Sequence, residues 1–221
     1  TPYVAGCVAA ADQYLKKQGL DLTSSEKTAY IKNLLMNSAV PYTYDGEFVS
    51  PRRQGAGLIS LSNLLEDNVI VTGTNGLAKI ELGDQLGDSF SFDIEIKNIS
   101  DKTVDLGTPY LYLDSDSYYF SDTYSDFVIT GTRSIDFTLE QTQLEPIPAG
   151  ETAKVRFDVS LDPNFLKEYE SHFLNGFFIE GFVYFAPNEN CCPISIPLLG
   201  FHGDWADVQI FDDGLLAAPE F

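Results

Sequence analysis

Two histidines and three cysteines are the residues with the chemistry for nucleophilic or acid-base catalysis. His172 and His202 could serve as a general base near neutral pH, but neither lies beside a Gly-x-Ser-x-Gly or comparable nucleophile motif. A Cys-His site using Cys7, Cys191 or Cys192 is chemically available. The sequence favours simpler roles: His172 in a loop, His202 in a structural position, Cys7 filling space in a buried helix, and all three cysteines as thiols.

A group of aspartates could bind a metal ion. Asp114-Ser-Asp116, with Asp122 and Asp126, offers oxygen ligands at the short spacing that Ca²⁺ accepts. The EF-hand pattern is absent, because Tyr118 occupies its fifth position and no glycine follows. We therefore predict a solvated acidic loop, with a Ca²⁺ site at Asp114, Asp116 and Asp122 as the alternative and no other cofactor. Two distant histidines and no Cys-x-x-Cys pair argue against zinc.

The charge of the chain limits its partners. Of its 221 residues, 33 are acidic and 13 basic, which gives a net charge of −20, and 44% are hydrophobic. This apolar content predicts a folded protein, while the charge disfavours nucleic acid and anionic membranes. No apolar run approaches the roughly 18–20 residues of a transmembrane helix. Because no initiator Met or signal peptide opens the sequence, we expect a mature product or an excised piece.

The charge is distributed unevenly along the chain. Residues 1–65 hold five acids and six bases, so the whole negative charge belongs to the remainder, at −21. The periodicity of the apolar residues changes at the same place. We therefore predict a domain boundary near Glu66 to Asn68, with one unit at 1–66 and a second at 67–221.

Helical patterns occupy the first unit. Residues 3–17 predict a helix so apolar that it should be buried on most sides, against a partner domain or through oligomerisation. Thr23-Ser-Ser-Glu26 is a capping box that predicts the start of a second helix. A third, short helix is predicted at residues 58–65.

Strand patterns occupy the second unit. Residues 89–97 alternate between apolar and polar side chains, which places Phe90, Phe92, Ile94 and Ile96 on one face. Similar stretches occur at residues 78–82, 110–113, 127–130, 135–139, 153–161, 177–185 and 194–201, and turn-forming residues separate them. Seven or eight short alternating strands predict a mainly β protein with an antiparallel β-sandwich. One helical turn is expected within residues 162–171.

The first unit contains three short motifs of known type. The first, Thr1-Pro-Tyr-Val-Ala-Gly6, is similar to the end of the signature Gly-Thr-Ser-Met-Ala-x-Pro-x-Val-Ala-Gly of the subtilase family of serine peptidases. Lys32-Asn-Leu-Leu-Met-Asn-Ser-Ala39 resembles the next helix of that family. Ser50-Pro-Arg-Arg-Gln-Gly-Ala-Gly57 resembles the turn that closes its catalytic domain, and we expect Arg52 and Arg53 to be a surface pair at this turn. The resemblance implies a nucleophilic serine three residues before Thr1, with the Asp, His and Asn of the mechanism further upstream, and hence no catalytic residue in this segment.

The second unit contains two longer motifs, Asn175-Gly-Phe-Phe-Ile-Glu-Gly-Phe-Val-Tyr-Phe185 and Ile196-Pro-Leu-Leu-Gly-Phe-His-Gly-Asp-Trp205. Both resemble stretches of Gram-positive cell-envelope proteinases of the lactocepin and streptococcal complement-peptidase type. The resemblance implies a fibronectin-type-III-like sandwich preceded by an α-helical remnant of a subtilase α/β domain. It also implies a secreted or wall-linked endopeptidase that acts on protein or peptide substrates.

Three functional hypotheses remain open at this point. The favoured one is an inactive fragment of a subtilisin-like peptidase, whose sandwich braces the rest of the catalytic domain or aids substrate binding. The second is a stand-alone extracellular adhesion or binding module. The third is a small enzyme with a new site at Cys7 or His202.

Overall fold

The protein is described by a computed structural model over residues 2–189 and 191–206; Thr1 lies outside the described residues. Four helices and a two-stranded hairpin come first, and the two sheets of a sandwich follow, with a fifth helix between their strands. The helices are α1 (Pro2–Lys17), α2 (Ser24–Asn37), α3 (Pro51–Gln54), α4 (Leu61–Glu66) and α5 (Pro163–His172). The strands are β1 (Thr43–Tyr44), β2 (Glu47–Phe48), β3 (Val69–Gly73), β4 (Ile80–Gly83), β5 (Ser89–Asn98), β6 (Tyr110–Ser121), β7 (Asp126–Ser134), β8 (Phe137–Gln141), β9 (Thr152–Leu161), β10 (Phe177–Phe185) and β11 (Ile194–His202).

Strands β3 to β11 form a sandwich of two sheets, ordered β4-β11-β10-β6-β7 and β3-β5-β9-β8. Lettered along the chain as A, A′, B, C, C′, D, E, F and G, these orders become A′GFCC′ and ABED, which is the arrangement of immunoglobulin-type sandwiches. The predicted β-sandwich is thus confirmed. One pairing differs from the prediction, because β4 lies parallel to β11. Alternation of polarity specifies which face a side chain takes but not the direction of the neighbouring strand, so the sequence could not reveal this.

The alternation predicted for residues 89–97 is present in β5 and builds the core between the sheets. Phe92, Ile94 and Ile96 are buried and the residues between them are more exposed. The Phe92 ring stacks on Phe157 of β9, with centroids 4.8 Å apart and planes 9° apart. Such pairs add to the free energy gained by removing apolar surface from water.

Strand β3 was not predicted, because all five of its residues are buried and their polarity does not alternate. Val69 and Val71 belong to the core of the sandwich, whereas Ile70 packs with Leu15 of α1 and Leu34 of α2. A strand covered on both faces forms a continuous apolar run rather than an alternating one. The helices therefore share a small core with the sandwich through β3.

Helix α1 is buried along one face only, contrary to the expectation of burial on most sides. Its buried residues are Cys7, Ala11, Tyr14 and Leu15. The other side exposes Tyr3 at 60% and Val4 and Val8 at 38% each. The described contacts are intramolecular, so oligomerisation through this helix stays a prediction. No helix in the described residues is long and apolar enough to span a membrane.

The other helices begin where side-chain caps permit. The predicted capping box is present, since the Glu26 amide donates to Thr23 Oγ1 and the Thr23 amide donates to the Glu26 carboxylate. The helix expected at residues 58–65 is α4, which starts after the N-cap Ser60. Helix α5 has ten residues rather than one turn. Asp162 caps its start by accepting hydrogen bonds from two amides of the first turn, and burial of Phe165, Leu166 and Tyr169 in the core stabilises the turns that follow.

Candidate functional site

The turn at residues 50–54 places an arginine against the sandwich. Ser50 is the N-cap of α3, with its hydroxyl accepting from the Arg52 amide at 3.1 Å, and Pro51 occupies the first helical turn. Gly55 ends the helix with a positive φ of 64°, a conformation that favours glycine. This short helix packs on β10 and β11, and the Arg52 side chain faces the sheet that contains them.

Arg52 binds two buried carboxylates of the sandwich. Its Nε and Nη2 donate to the two oxygens of Glu180 on β10, at 3.1 and 2.9 Å, and Nη2 also donates to Asp116 on β6 at 2.6 Å. Glu180 is fully buried and accepts a third bond from the Ser50 hydroxyl at 2.6 Å. The guanidinium lies 4.0 Å from the centre of the Phe178 ring. Bidentate pairing of this kind gives both strength and orientation. Arg52 and Arg53 are both surface residues, as predicted, but Arg52 also binds the buried carboxylates of the sandwich, which the sequence did not indicate.

A third buried carboxylate lies beside this pair. Asp114 is opposite Glu180 in the β6-β10 register and is 1% exposed. Its Oδ1 accepts from the Ser134 hydroxyl at 3.1 Å, while its Oδ2 has no partner in the described residues. Burial, opposed by the Ser134 bond and assisted by Glu47 and Glu180, raises the pKa of Asp114 to about 6. Its charge is therefore uncompensated when it ionises.

We expect the variant Asp114→Asn to be stabilised relative to the native chain at pH 7.5 but not at pH 4. The pKa of Asp114 in the folded chain lies above the usual value of 3.8. The contribution of this side chain to the free energy of unfolding therefore falls as pH rises from about 4 to about 6, and it stays low above that. At about 1.4 kcal/mol per pKa unit, the rise from 3.8 to about 6 corresponds to about 3 kcal/mol in full. About 2 kcal/mol of this should appear between pH 4 and pH 7.5, because the unfolded group is already partly ionised at pH 4. Urea unfolding at both pH values measures it. Asp122→Asn, at an exposed turn residue, is the control; an equal change there would contradict the assignment.

Two asparagines of α2 hydrogen-bond the edge of the sandwich. Asn37 is fully buried and donates to the Val71 carbonyl at 3.0 Å while accepting from the Val71 amide at 2.9 Å. One turn earlier, Asn33 donates to the Gly76 carbonyl and accepts from the Ala78 amide, at 2.9 and 3.0 Å. Each side chain thus satisfies backbone groups as a neighbouring strand would. These contacts protect the β3 edge and fix α2 to it.

The chain between the helices and the sandwich is buried. Tyr14 of α1 donates its hydroxyl hydrogen to the Asp67 carbonyl at 2.7 Å, and Asp67 is fully buried. Burial raises the pKa of the Asp67 carboxyl to about 7, against the effect of a bond from the Val69 amide. Together, the Arg52, Asn37 and Tyr14 contacts form what we call the junction, which is a packed interface and not a flexible linker.

The aspartates considered as Ca²⁺ ligands do not form a loop. Asp114 and Asp116 lie on strand β6 and are buried, whereas Asp122 follows that strand in an exposed turn. Arg52 supplies the cation that Asp116 binds. The prediction of a solvated acidic loop is therefore wrong for Asp114 and Asp116 and holds only for Asp122. The three carboxylates are not among the groups whose ligand atoms gather within metal-binding distance in the described residues.

The candidate catalytic residues are not arranged for nucleophilic catalysis. His172 ends α5, where the sequence predicted a loop, and its Nδ1 lies 2.7 Å from the Tyr118 hydroxyl. In the part of the chain that the structure describes, no hydrogen bond joins a cysteine to either histidine. A hydrogen bond with Cys191, together with burial, raises the pKa of the Cys192 thiol far above its usual range, which disfavours the reactive thiolate. Cys7 is buried in α1, as expected.

A cleft of about 590 Å³ lies beside the junction, between the β1-β2 hairpin and strands β6 and β7. Its lining combines aromatic and acidic residues, including Tyr42, Tyr44, Glu47 and Asp116. Tyr44 is 74% exposed. Aromatic rings of this kind are enriched in contact surfaces.

Comparisons with known proteins identify relatives. No model of a known protein family matches the chain. It is 28% identical over 240 residues to the PI-type proteinase of Lactococcus lactis subsp. cremoris, covering 99% of this chain and 12% of that protein. It is 28% identical over 220 residues to the C5a peptidase of Streptococcus pyogenes serotype M1, covering 96% and 17%. Among solved structures, the secreted serine protease VesC from Vibrio cholerae aligns with a TM-score of 0.35 and 10% sequence identity. The alignment covers 64% of this chain and 24% of that one. This similarity is too low to establish a common fold.

The chain spans less than a fifth of the length of these curated relatives. Within that segment the alignment extends from the helices through the sandwich, because it covers nearly all of the chain. This similarity confirms the resemblance that the motifs predicted, to the subtilisin-like cell-envelope proteinases of the lactocepin and streptococcal complement-peptidase type.

Proposed function

We propose that the chain is the part of a secreted or wall-linked subtilisin-like serine endopeptidase that fixes the end of the catalytic domain to an accessory sandwich. Residues 1–66 are the end of the catalytic domain, and residues 67–221 are a fibronectin-type-III-like domain. The observation that carries the proposal is the Arg52 contact, because it joins the turn resembling the closing turn of a subtilase domain to the buried Glu180 and Asp116. Its partners are the remainder of that domain and the protein or peptide substrates of the enzyme.

The junction supports a bracing role for the sandwich. In the subtilase family the nucleophilic serine lies at the start of the helix that corresponds to α1. Here α1 is anchored by Tyr14, and the adjoining α2 is anchored by Asn37 on β3. A displacement of about 1 Å in a catalytic group can cost about 100-fold in rate, so a rigid support for this helix has a direct catalytic value.

The 221-residue chain is expected to show no endopeptidase activity and no labelling by a fluorophosphonate probe. The reason is that the residues of the subtilase mechanism are proposed to lie upstream of Thr1, in a Gly-Thr-Ser-Met-Ala-like stretch and the segments before it. Sequencing the gene upstream of Thr1 and assaying the chain on casein test this. Labelling of the chain alone, or an upstream sequence without that stretch, would refute the proposal.

The bracing role has its own measurement in the full-length enzyme. Arg52→Gln should shorten the half-life of peptidase activity on heating, whereas Arg53→Gln, at the neighbouring exposed residue, should not. Equal half-lives for the two variants would leave the peptidase assignment standing but exclude the brace.

One observation favours an additional binding role. The β6-β7 hairpin exposes Tyr119 at 51% and Phe120 at 53%, both near the end of β6, and Tyr124 at 72% in its turn. An aromatic tip of this kind suits a stand-alone adhesion module as well as contact with a protein substrate. Retention of binding to immobilised substrate protein by the 221-residue chain, and its loss in Phe120→Ser, would support this role.

A further inference from the structure

The fold gathers one histidine and two carboxylates that lie far apart in the sequence. His202 ends β11, Glu170 is on α5, and Asp88 precedes β5. One ligand atom from each lies within 4.8 Å of the others, and His202 Nε2 is 3.2 Å from Glu170 Oε1. The sequence argued against zinc because its two histidines are distant, but this group needs only one of them.

The surrounding structure holds these residues in place. The His202 ring stacks on Phe177, with centroids 4.8 Å apart and planes 26° apart. The Leu161 amide donates to the Asp88 carbonyl at 2.9 Å, and the Leu86 amide donates to the Phe201 carbonyl at 3.0 Å. The loop that carries Asp88 is therefore tied to β9 and to the strand that carries His202.

The charge of the group is uncompensated. In the described residues, no lysine or arginine forms an ion pair with Asp88 or Glu170, and the Glu170 contact is with His202. Asp84 and Asp204 add negative charge where the loop before β5 meets the end of β11. Asp84 accepts a hydrogen bond from the Trp205 amide, and Asp204 accepts one from the side chain of Gln85. A cation bound here would therefore meet two carboxylates that no basic side chain neutralises in the described residues.

We propose that Asp88, Glu170 and His202 bind one Zn²⁺ ion. An imidazole with two carboxylates is a ligand set for zinc, whereas Ca²⁺ and Mg²⁺ prefer oxygen ligands throughout. Zinc bonds of about 2.0–2.2 Å in tetrahedral geometry place ligand atoms about 3.3–3.6 Å apart. The 3.2 Å between His202 Nε2 and Glu170 Oε1 is just short of this range. Asp88 and Glu170 are exposed, so their side chains can close the remaining gap while water takes the fourth position.

Such an ion would join α5 to the end of β11 and to the loop before β5, so binding and stability should change together. The 221-residue chain is titrated with ZnCl₂ at pH 7.5 by calorimetry, and its melting temperature is measured with and without zinc. We expect one Zn²⁺ per chain and a higher melting temperature. In Asp88→Asn and His202→Gln, affinity should fall at least about tenfold and the rise in melting temperature should disappear.

His172→Gln is the matched control, because it removes the other histidine of the chain, and Asp101→Asn controls for the loss of an exposed carboxylate. Both should bind zinc as the native chain does. Circular dichroism establishes that each variant is folded, and Asp88→Asn, at an exposed residue, provides the test if His202→Gln does not fold. The proposal is overturned if the native chain binds no zinc up to about 1 mM, if the Asp88 variant binds as tightly as the native chain, or if His172→Gln loses as much affinity as His202→Gln.

Discussion

Replacing Arg52 by glutamine is expected to lower the free energy of unfolding by about 3 to 5 kcal/mol. Glu180 is fully buried and would lose both guanidinium bonds, keeping only the Ser50 hydroxyl. Asp116, 6% exposed, would lose its partner as well. Removing one member of a buried ion pair leaves the other charge desolvated and uncompensated, which costs more than the intact pair contributes. Urea unfolding at pH 7.5 measures the change.

Two further variants separate this effect from general damage to the turn. Arg53→Gln removes a charge from the same short helix at an exposed position and should change stability by less than about 0.5 kcal/mol. The double variant Arg52→Gln/Glu180→Gln should be less destabilised than the sum of the single variants, because removing the second charge relieves the uncompensated burial of the first. If Arg52→Gln and Arg53→Gln lose equal stability, Glu180 is not held by Arg52.

Elements with local signals could be predicted from the sequence. The capping box at Thr23 and Glu26 involves residues three positions apart, so both its hydrogen bonds are encoded in one short segment. Strand β5 has one face in the core and the other more exposed, so its alternation predicted both the strand and its buried face. Strand β3 lacks this contrast because the helices cover the face that an isolated sandwich would expose.

The junction could not be predicted in the same way, because Arg52 and Glu180 are 128 residues apart. One signal was available: Glu180 is the single charged residue in the strand Phe177–Phe185, and a buried charge needs a partner. Nothing in the local sequence says which base supplies it. Local sequence could not predict the proposed zinc-binding group either, because Asp88, Glu170 and His202 meet only when three separate elements are packed together.

Replacing Gly181 by alanine is expected to cost about 3 kcal/mol or more, or to prevent folding. Gly181 directly follows Glu180 on β10 and pairs with Leu113 of β6. A Cβ atom at this position would lie 1.9 Å from the Tyr112 carbonyl oxygen and 2.8 Å from its carbon. Because those atoms belong to the backbone of the adjacent strand, relief requires the two strands to separate. That movement would also displace Asp114 and Glu180, which face each other across the same pair of strands.

Gly131→Ala provides the comparison, since Gly131 is on β7 of the same sheet and a Cβ there would meet nothing within 4 Å. Alanine reduces the conformational freedom of the unfolded chain, so this variant should be neutral or stabilised by up to about 1 kcal/mol. Thermal and urea unfolding measure the free energy of unfolding of both variants. The difference between them reports the close approach of β6 to β10. A Gly181→Ala variant as stable as Gly131→Ala would show that the two strands are not held this closely. In that case the close approach of β6 to β10 would not explain the glycine at position 181. The Arg52 variants would then be the remaining test of where Glu180 lies.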